Sequence, residues 1–331
     1  MRHSPIFATI QALSTVATIA LFAGCSNGGA IANGPQKVST LGGLGTNRAS
    51  AYSCPATGPI EYVSDSTNGV INIFAGDFNG QSECGQISSG ISEAVGMTVD
   101  ENSHDLYVAN WKGGNVLVFH RGQTKPYNTY TDPSGQYPSD VAVAKDGTIA
   151  ASDSYCSFST WKAGPHGGTF IANYAKPGCR FALDITFLTI NDDDTVYYMT
   201  DMPGPNRSRL WAASCPGGFC TAPAMVPGVV FDFFPAGLVT DETGDLVAIK
   251  MSAHGRDNDA AIYELPNPKP ISFDLENGGP FGLAIDEQNR HLFVADSGND
   301  AAYEYAYPSG TLLGTVSGIP YGFIGGIAAD D

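Results

Sequence analysis

One phrase recurs six times along this chain of 331 residues, and such a recurrence leaves few architectures open. The clearest copies are GMTVDENSHDLYVANWKGGNVLVF, from Gly96 to Phe119, and GLAIDEQNRHLFVADSGNDAAYEY, from Gly282 to Tyr305. Each reads as a short apolar strand, a polar turn, and a second apolar strand ending in Asp or Asn. A glycine-rich turn and a third strand ending in an aromatic complete it. Aligned on the first strand, the copies begin at Gly96, Asp140, Asp184, Gly237, Gly282 and Gly326, in steps of 44, 44, 53, 45 and 44 residues. A period in the forties made only of strands and turns predicts an all-β radial array, the β-propeller, rather than a helical solenoid.

The first unit, Ile60 to Phe74, begins at a second strand and lacks an innermost one. The last copy, GGIAADD from Gly325 to Asp331, is a first strand with nothing after it. Joining the two gives six four-stranded blades, the ring closed by the C-terminal strand completing blade one, and leaves no open sheet edge at the seam. The pairing expected is Gly326–Asp330 against Ile60–Ser64. Aromatics at matching points of the third strands, Phe74, Phe119, Trp161, Trp211, Tyr263 and Tyr305, are expected to pack between neighbouring sheets.

The net charge of −17, with only 15% charged residues, opposes binding to phosphate backbones, so nucleic acid is excluded as a partner. Arg2 and His3 precede a mostly apolar run from Ile6 to Phe22 and the small residues before Cys25, the pattern of an export signal. The Ala23-Gly24-Cys25 ending resembles the bacterial lipoprotein signal. That resemblance implies lipidation of Cys25 and a membrane anchor, with Ser26 implying the outer membrane of a two-membrane bacterium. Residues 1–24 then form the signal peptide, 25–53 a Gly/Ser/Asn-rich flexible tether, and 54–331 the propeller.

Six cysteines remain, an even number suited to disulfides in an exported chain, with 15 possible connectivities. Proximity within the repeat favours Cys54–Cys84, Cys156–Cys179 and Cys215–Cys220. A zinc site is the competitor, but no cysteine pair is accompanied by a paired-histidine motif.

PFGLAIDEQNRHLFVADSGNDAAYEY, from Pro280 to Tyr305, is similar to the NHL repeat. Tyr137–Ser154 and Pro235–Ile249 match it more loosely. The resemblance implies a six-bladed propeller serving as a protein-binding platform or a lyase. In the related gluconolactonase and paraoxonase groups it implies a calcium-dependent hydrolase. Fold therefore says little about reaction.

The entry of strand one and the exit of strand two share one face, here called the entry face. It carries Asp140 and Asp184 at strand-one entries, candidate ligands for a calcium ion in the channel. It also carries Asp65, Asn110, Asp153, Asp201 and Asp296 at strand-two exits, where Asp or Asn before a glycine-rich turn builds that turn. Asp153 and Asp201, with His254 and Arg256 from the blade-five loop, are the candidate binding residues of this face. Asn191–Thr195 falls on the opposite face as a solvated turn. No set of residues forms a recognisable catalytic constellation. The expectation is a monomeric binding or scaffolding module of the cell envelope needing no cofactor, with a calcium-dependent, lactonase-like hydrolase or lyase as the rival.

Overall fold

Short, mostly apolar runs rich in Val, Ile and Tyr and bounded by glycine turns produce six antiparallel sheets in the computed structural model. The structure describes residues 39–40, 51–76, 78, 83–135, 137–153, 157–175, 187–200, 208–231, 235–250, 259–265, 270–276, 278–319 and 325–330. All lie in the unit Lys37–Asp331. Among them no helix is long and apolar enough to cross a membrane.

From the channel outward, blade two is Ala94–Asp100, Asp105–Asn110, Asn115–Phe119 and Asn128–Tyr130. Blade three is Pro138–Val143, Thr148–Asp153, Ser157–Lys162 and Thr169–Ala175, and blade four is Leu188–Ile190, Thr195–Thr200, Ser208–Ser214 and Ala224–Phe231. Blade five is Pro235–Thr240, Leu246–Lys250, Asp259–Tyr263 and Pro270–Asp274. Blade six is Pro280–Ile285, His291–Asp296, Ala301–Ala306 and Thr311–Ser317.

Blade one is assembled from both ends of the propeller. Its innermost strand, Ile327–Asp330, pairs antiparallel with Ile60–Asp65 in the register Ile327↔Val63 to Asp330↔Ile60. Ser64 N–H extends the pairing to the Gly326 carbonyl at 3.0 Å. Val70–Ala75 and Glu83–Ile87 complete the blade. The expected closure is therefore present, residue for residue. Gly326 lies so close to the Val95 carbonyl of blade two that any Cβ there would collide with it, which explains a glycine at this entry.

The blades are held to each other by apolar clusters at their shared faces. Phe74 meets Phe78 edge-on at 5.7 Å, and Phe78 in turn meets Phe293 of blade six edge-on at 5.6 Å. Phe119 packs with blade one, Trp161 with Tyr130 of blade two, and Tyr263 and Tyr305 within one cluster spanning blades four to six. Trp211 packs against the cluster between blades three and four. The six third-strand aromatics thus serve the inter-blade packing expected of them.

Two features differ from the sequence reading. In blade four the strand-one turn begins at Asn191, whose N–H bonds Thr195 O as Ala144 bonds Thr148 and Asp241 bonds Asp245. Counting back four residues puts Phe187, not Asp184, level with Gly96 and Asp140. Asp184 lies three residues upstream, outside the described residues. The tether reading also changes. Within 25–53, Ser39–Thr40 runs parallel to Val316–Ser317 of blade six, and Ala51–Tyr52 pairs with Gly85–Gln86 of blade one. The outer strands supply the hydrogen-bonding partner, so pairing arises there without any apolar alternation in the tether itself.

The disulfides Cys54–Cys84 and Cys215–Cys220 are formed; Cys156 and Cys179 lie outside the described residues, as does Cys25. Cys54–Cys84 fastens Ala51–Tyr52 to the outer strand beside it, where Ser53 N–H also bonds Cys84 O. Cys215–Cys220 spans the Pro216–Gly218 turn between two outer strands of blade four.

Deleting residues 324–331 should expose the inner edge of Ile60–Asp65 and abolish cooperative unfolding of the ring, read as a broadened, early melt. A truncated chain that melts like the full one would contradict the closure. On loop-closure entropy, removing Cys54–Cys84 should cost about 3.5 kcal/mol in urea unfolding and removing Cys215–Cys220 about 2 kcal/mol. Equal losses, or a larger one for the short loop, would contradict the chain-entropy assignment.

Candidate functional site

The inner strands all run the same way, so their first residues ring one mouth of the central channel and their last residues the other. The channel is open to solvent and is lined by Val99, Val143, Val239, Ile285 and Ala329 among others.

On the entry face the acidic side chains turn inward. Asp140 is buried; its Oδ2 accepts from Leu188 N–H of blade four at 3.0 Å and its Oδ1 from Val141 N–H at 2.9 Å. The carboxylate lies directly over Gly96 of blade two, where a Cβ would collide with it. Asp140 thus ties the inner strands of blades three and four together while packing against that of blade two, a role that uses a charge-assisted hydrogen bond to backbone.

The strand-two exits behave as turn builders. Asp65 accepts from Asn68 N–H at 3.0 Å, and Asn110 from Ser92 and Glu93 N–H at 2.7 and 3.1 Å. Asp153 is buried and takes the Ser157 hydroxyl at 2.6 Å, with Asn173 Nδ2 at 3.3 Å. Asp296 accepts from Gly279, Gly298 and Asn299 N–H at 2.7, 2.8 and 3.1 Å. Burial raises the Asp296 carboxyl above its ordinary range, although these amides hold it down. Asp201, His254 and Arg256 lie outside the described residues, so Asp153 is the described member of that proposed binding set.

The opposite mouth has the contrary character. In four blades the strand-one turn opens with an Asp or Asn whose side chain is consumed locally, whereas blade three opens with Ala144. Asp100 caps Asn102 N–H at 3.1 Å, and Asn191 caps Thr195 N–H at 2.9 Å. Asp241 caps Asp245 N–H at 2.9 Å, and Asp286 caps His291 N–H at 2.9 Å. The next residue points to the rim, and four of these are acidic: Glu101, Asp192, Glu242 and Glu287 all line the channel. Blade three contributes Lys145, whose Nζ lies 2.6 Å from Asp192. Burial raises the Glu101 carboxyl; the like charges of Asp192, Glu242 and Asp100 add to this, and Lys145 opposes it. The hydrogen bond to Asp192 in turn raises the Lys145 ammonium. These groups form one electrostatic unit across four blades.

At the ring seam a second group gathers on the same face. Asp330, on the closing strand, is almost wholly buried, and its carboxylate meets His104 Nδ1 at 2.7 Å and Arg121 Nη1 at 2.7 Å. Arg121 also donates to Gly58 O of blade one, and Glu287 Oε1 of blade six lies 4.0 Å from His104 Nδ1. Burial raises the Asp330 carboxyl, with His104 and Arg121 holding it down.

The sequence reading missed both groups. The rim had a signal, an acidic residue immediately after the Asp or Asn that ends strand one, in DEN, NDD, DET and DEQ at the repeat period. The seam had none, because His104 and Asp330 are 226 residues apart.

No family model matches the chain, and no curated protein matches it. Solved structures do. A chain of a nidogen/laminin complex aligns with a TM-score of 0.64 at 13% identity, covering 82% of this chain and 98% of that one. A functionally unknown protein from Desulfotomaculum acetoxidans gives 0.56 at 14% identity, covering 82% and 98%. Hydrazine synthase of Kuenenia stuttgartiensis gives 0.55 at 14% identity, covering 77% and 82%. At these identities the likeness is one of fold: the chain is a six-bladed β-propeller.

Proposed function

We propose that this chain is an exported, NHL-like binding module of the cell envelope, anchored through Cys25, that takes a cationic ligand at the acidic mouth of its channel. The repeat phrase supports the NHL-like reading, and the Cys54–Cys84 and Cys215–Cys220 disulfides are compatible with an oxidising compartment. The observation that carries the binding reading is the convergence of Glu101, Asp192, Glu242 and Glu287 on a concave channel mouth, with Lys145 as their one cation among the described rim residues. A concavity on which a few charged groups converge is a common form of ligand site. Its field attracts cations before contact and rejects anions.

The chemistry required of the ligand is one or more ammonium or guanidinium groups, as in a lysine-rich peptide or a polyamine. Binding and release demand no bond making and no cofactor. The rival calcium-dependent hydrolase relies on Asp140 and Asp184; the Asp140 carboxylate accepts from the backbones of two inner strands, which supports the structural role for it.

The test is calorimetric titration of the mature chain with a tetralysine peptide at low salt. Binding should weaken at least tenfold, about 1.4 kcal/mol, in the triple variant Glu101→Gln, Asp192→Asn, Glu242→Gln, and should weaken with added salt. It should also weaken as pH falls, because the carboxylates lose charge. Glu101, whose pKa is raised, drops out at a higher pH than an ordinary carboxylate. A triple variant that binds as tightly as the wild type would contradict the proposal.

A further inference from the structure

His104 stands in the turn between the first and second strands of blade two. Its φ is +56°, in the left-handed region, and the matching slot is Gly147, Asp194, Gly244 and Asn289 in blades three to six. Asn, Asp and His are the non-glycine residues enriched in that region. The turn carries the imidazole over the seam to the closing strand, where it meets Asp330.

What the imidazole meets is a set of metal-ligand atoms. His104, Glu287 and Asp330 each present one ligand atom, and the three lie within 4.8 Å of one another. They come from blades two, six and one. In a complex with bonds of about 2.0–2.2 Å, neighbouring ligand atoms stand roughly 3–3.5 Å apart. The present separations of 2.7 Å, from His104 to Asp330, and 4.0 Å, from His104 to Glu287, bracket that value. Glu287 is partly exposed, while Asp330 is buried on the closing strand.

Arg121 does not occupy the same atom. It holds Oδ2 of Asp330, leaving Oδ1 toward His104, the second-sphere arrangement that orients a ligating carboxylate. Two carboxylates against one guanidinium leave the group net negative. Nearby, the Tyr52 hydroxyl is buried and has no hydrogen-bond partner among the described residues, as is Arg121 Nε. Tyr52 is electrostatically coupled to both Arg121 and Asp330. An orphaned buried hydroxyl beside this group is what a metal-bound water would satisfy.

We infer that His104, Glu287 and Asp330 form a binding site for one divalent transition-metal ion, which would tie blades six, one and two together at the ring closure. One imidazole with two carboxylates suits zinc or its first-row neighbours better than calcium, which prefers an all-oxygen shell of six or more ligands. The inference goes beyond the cationic-ligand reading, and its readout is metal stoichiometry, which the outcome of peptide binding does not touch.

The experiment uses the untagged mature chain, stripped with chelator and titrated with zinc by calorimetry, with melting followed in parallel. One zinc per chain should bind, and the melting temperature should rise with zinc concentration. His104→Ala and Glu287→Gln should each weaken binding tenfold or more and remove the thermal shift. If His104→Ala does not fold, Glu287→Gln carries the test alone, since that side chain is partly exposed. Absence of binding at about 1 mM zinc would overturn the inference. Binding unchanged in Glu287→Gln would overturn it as well, by placing the ion elsewhere.

Discussion

The pairing of Ile327–Asp330 with Ile60–Asp65 is the interaction on which the rest of the ring depends. A propeller has no layer covering its seam; it is held only by the circularity of its inter-blade contacts. Without the closing strand, Ile60–Asp65 would present an unpaired edge to the channel, and blade two would lose the neighbour that packs at Val95. The clusters joining blade one to blades two and six include Ala328 and Ile327 respectively, so the same short strand contributes apolar contact on both sides. The His104–Asp330–Arg121 group adds a polar clasp at its end.

Closure also divides the work between the two faces. Where the chain enters each inner strand, neighbouring backbones come close, and carboxylates there are drawn into satisfying N–H groups, as Asp140 and Asp296 show. Where it leaves, a tight turn needs only its first side chain, and the following residue is released to the rim. Repetition from blade two to blade six turns that spare position into an arc of charge, Glu101, Lys145, Asp192, Glu242 and Glu287. The acidic mouth is a consequence of repeat geometry acting on a two-residue motif.

Much of the fold was legible in the sequence because its signals are periodic. The strand alternation, the aromatics from Phe74 to Tyr305 and the spare strand at Gly325–Asp331 each recur or are missing at a fixed step. The blade-four entry was misplaced because its step is the irregular one, and the first acidic residue in range, Asp184, stood in for Phe187. The strands Ser39–Thr40 and Ala51–Tyr52 left no trace in composition, since their pairing is supplied by the sheets they join. For the site, the turn role of Asp65, Asn110, Asp153 and Asp296 followed from local chemistry. The rim and the seam did not, because Glu101 reads alone as a solvated turn and His104 meets Asp330 only after the ring has closed.

Amide hydrogen exchange measured on Ile327 to Asp330 tests the closure most directly. If this strand completes blade one, its hydrogen-bonded amides should exchange only through global unfolding, with protection equal to that of Val70–Ala75 and Leu106–Ala109 in the blade cores. Exchange many-fold faster than in those strands, at the rate of a fraying terminus, would mean that the ring is not held shut by its C-terminal strand.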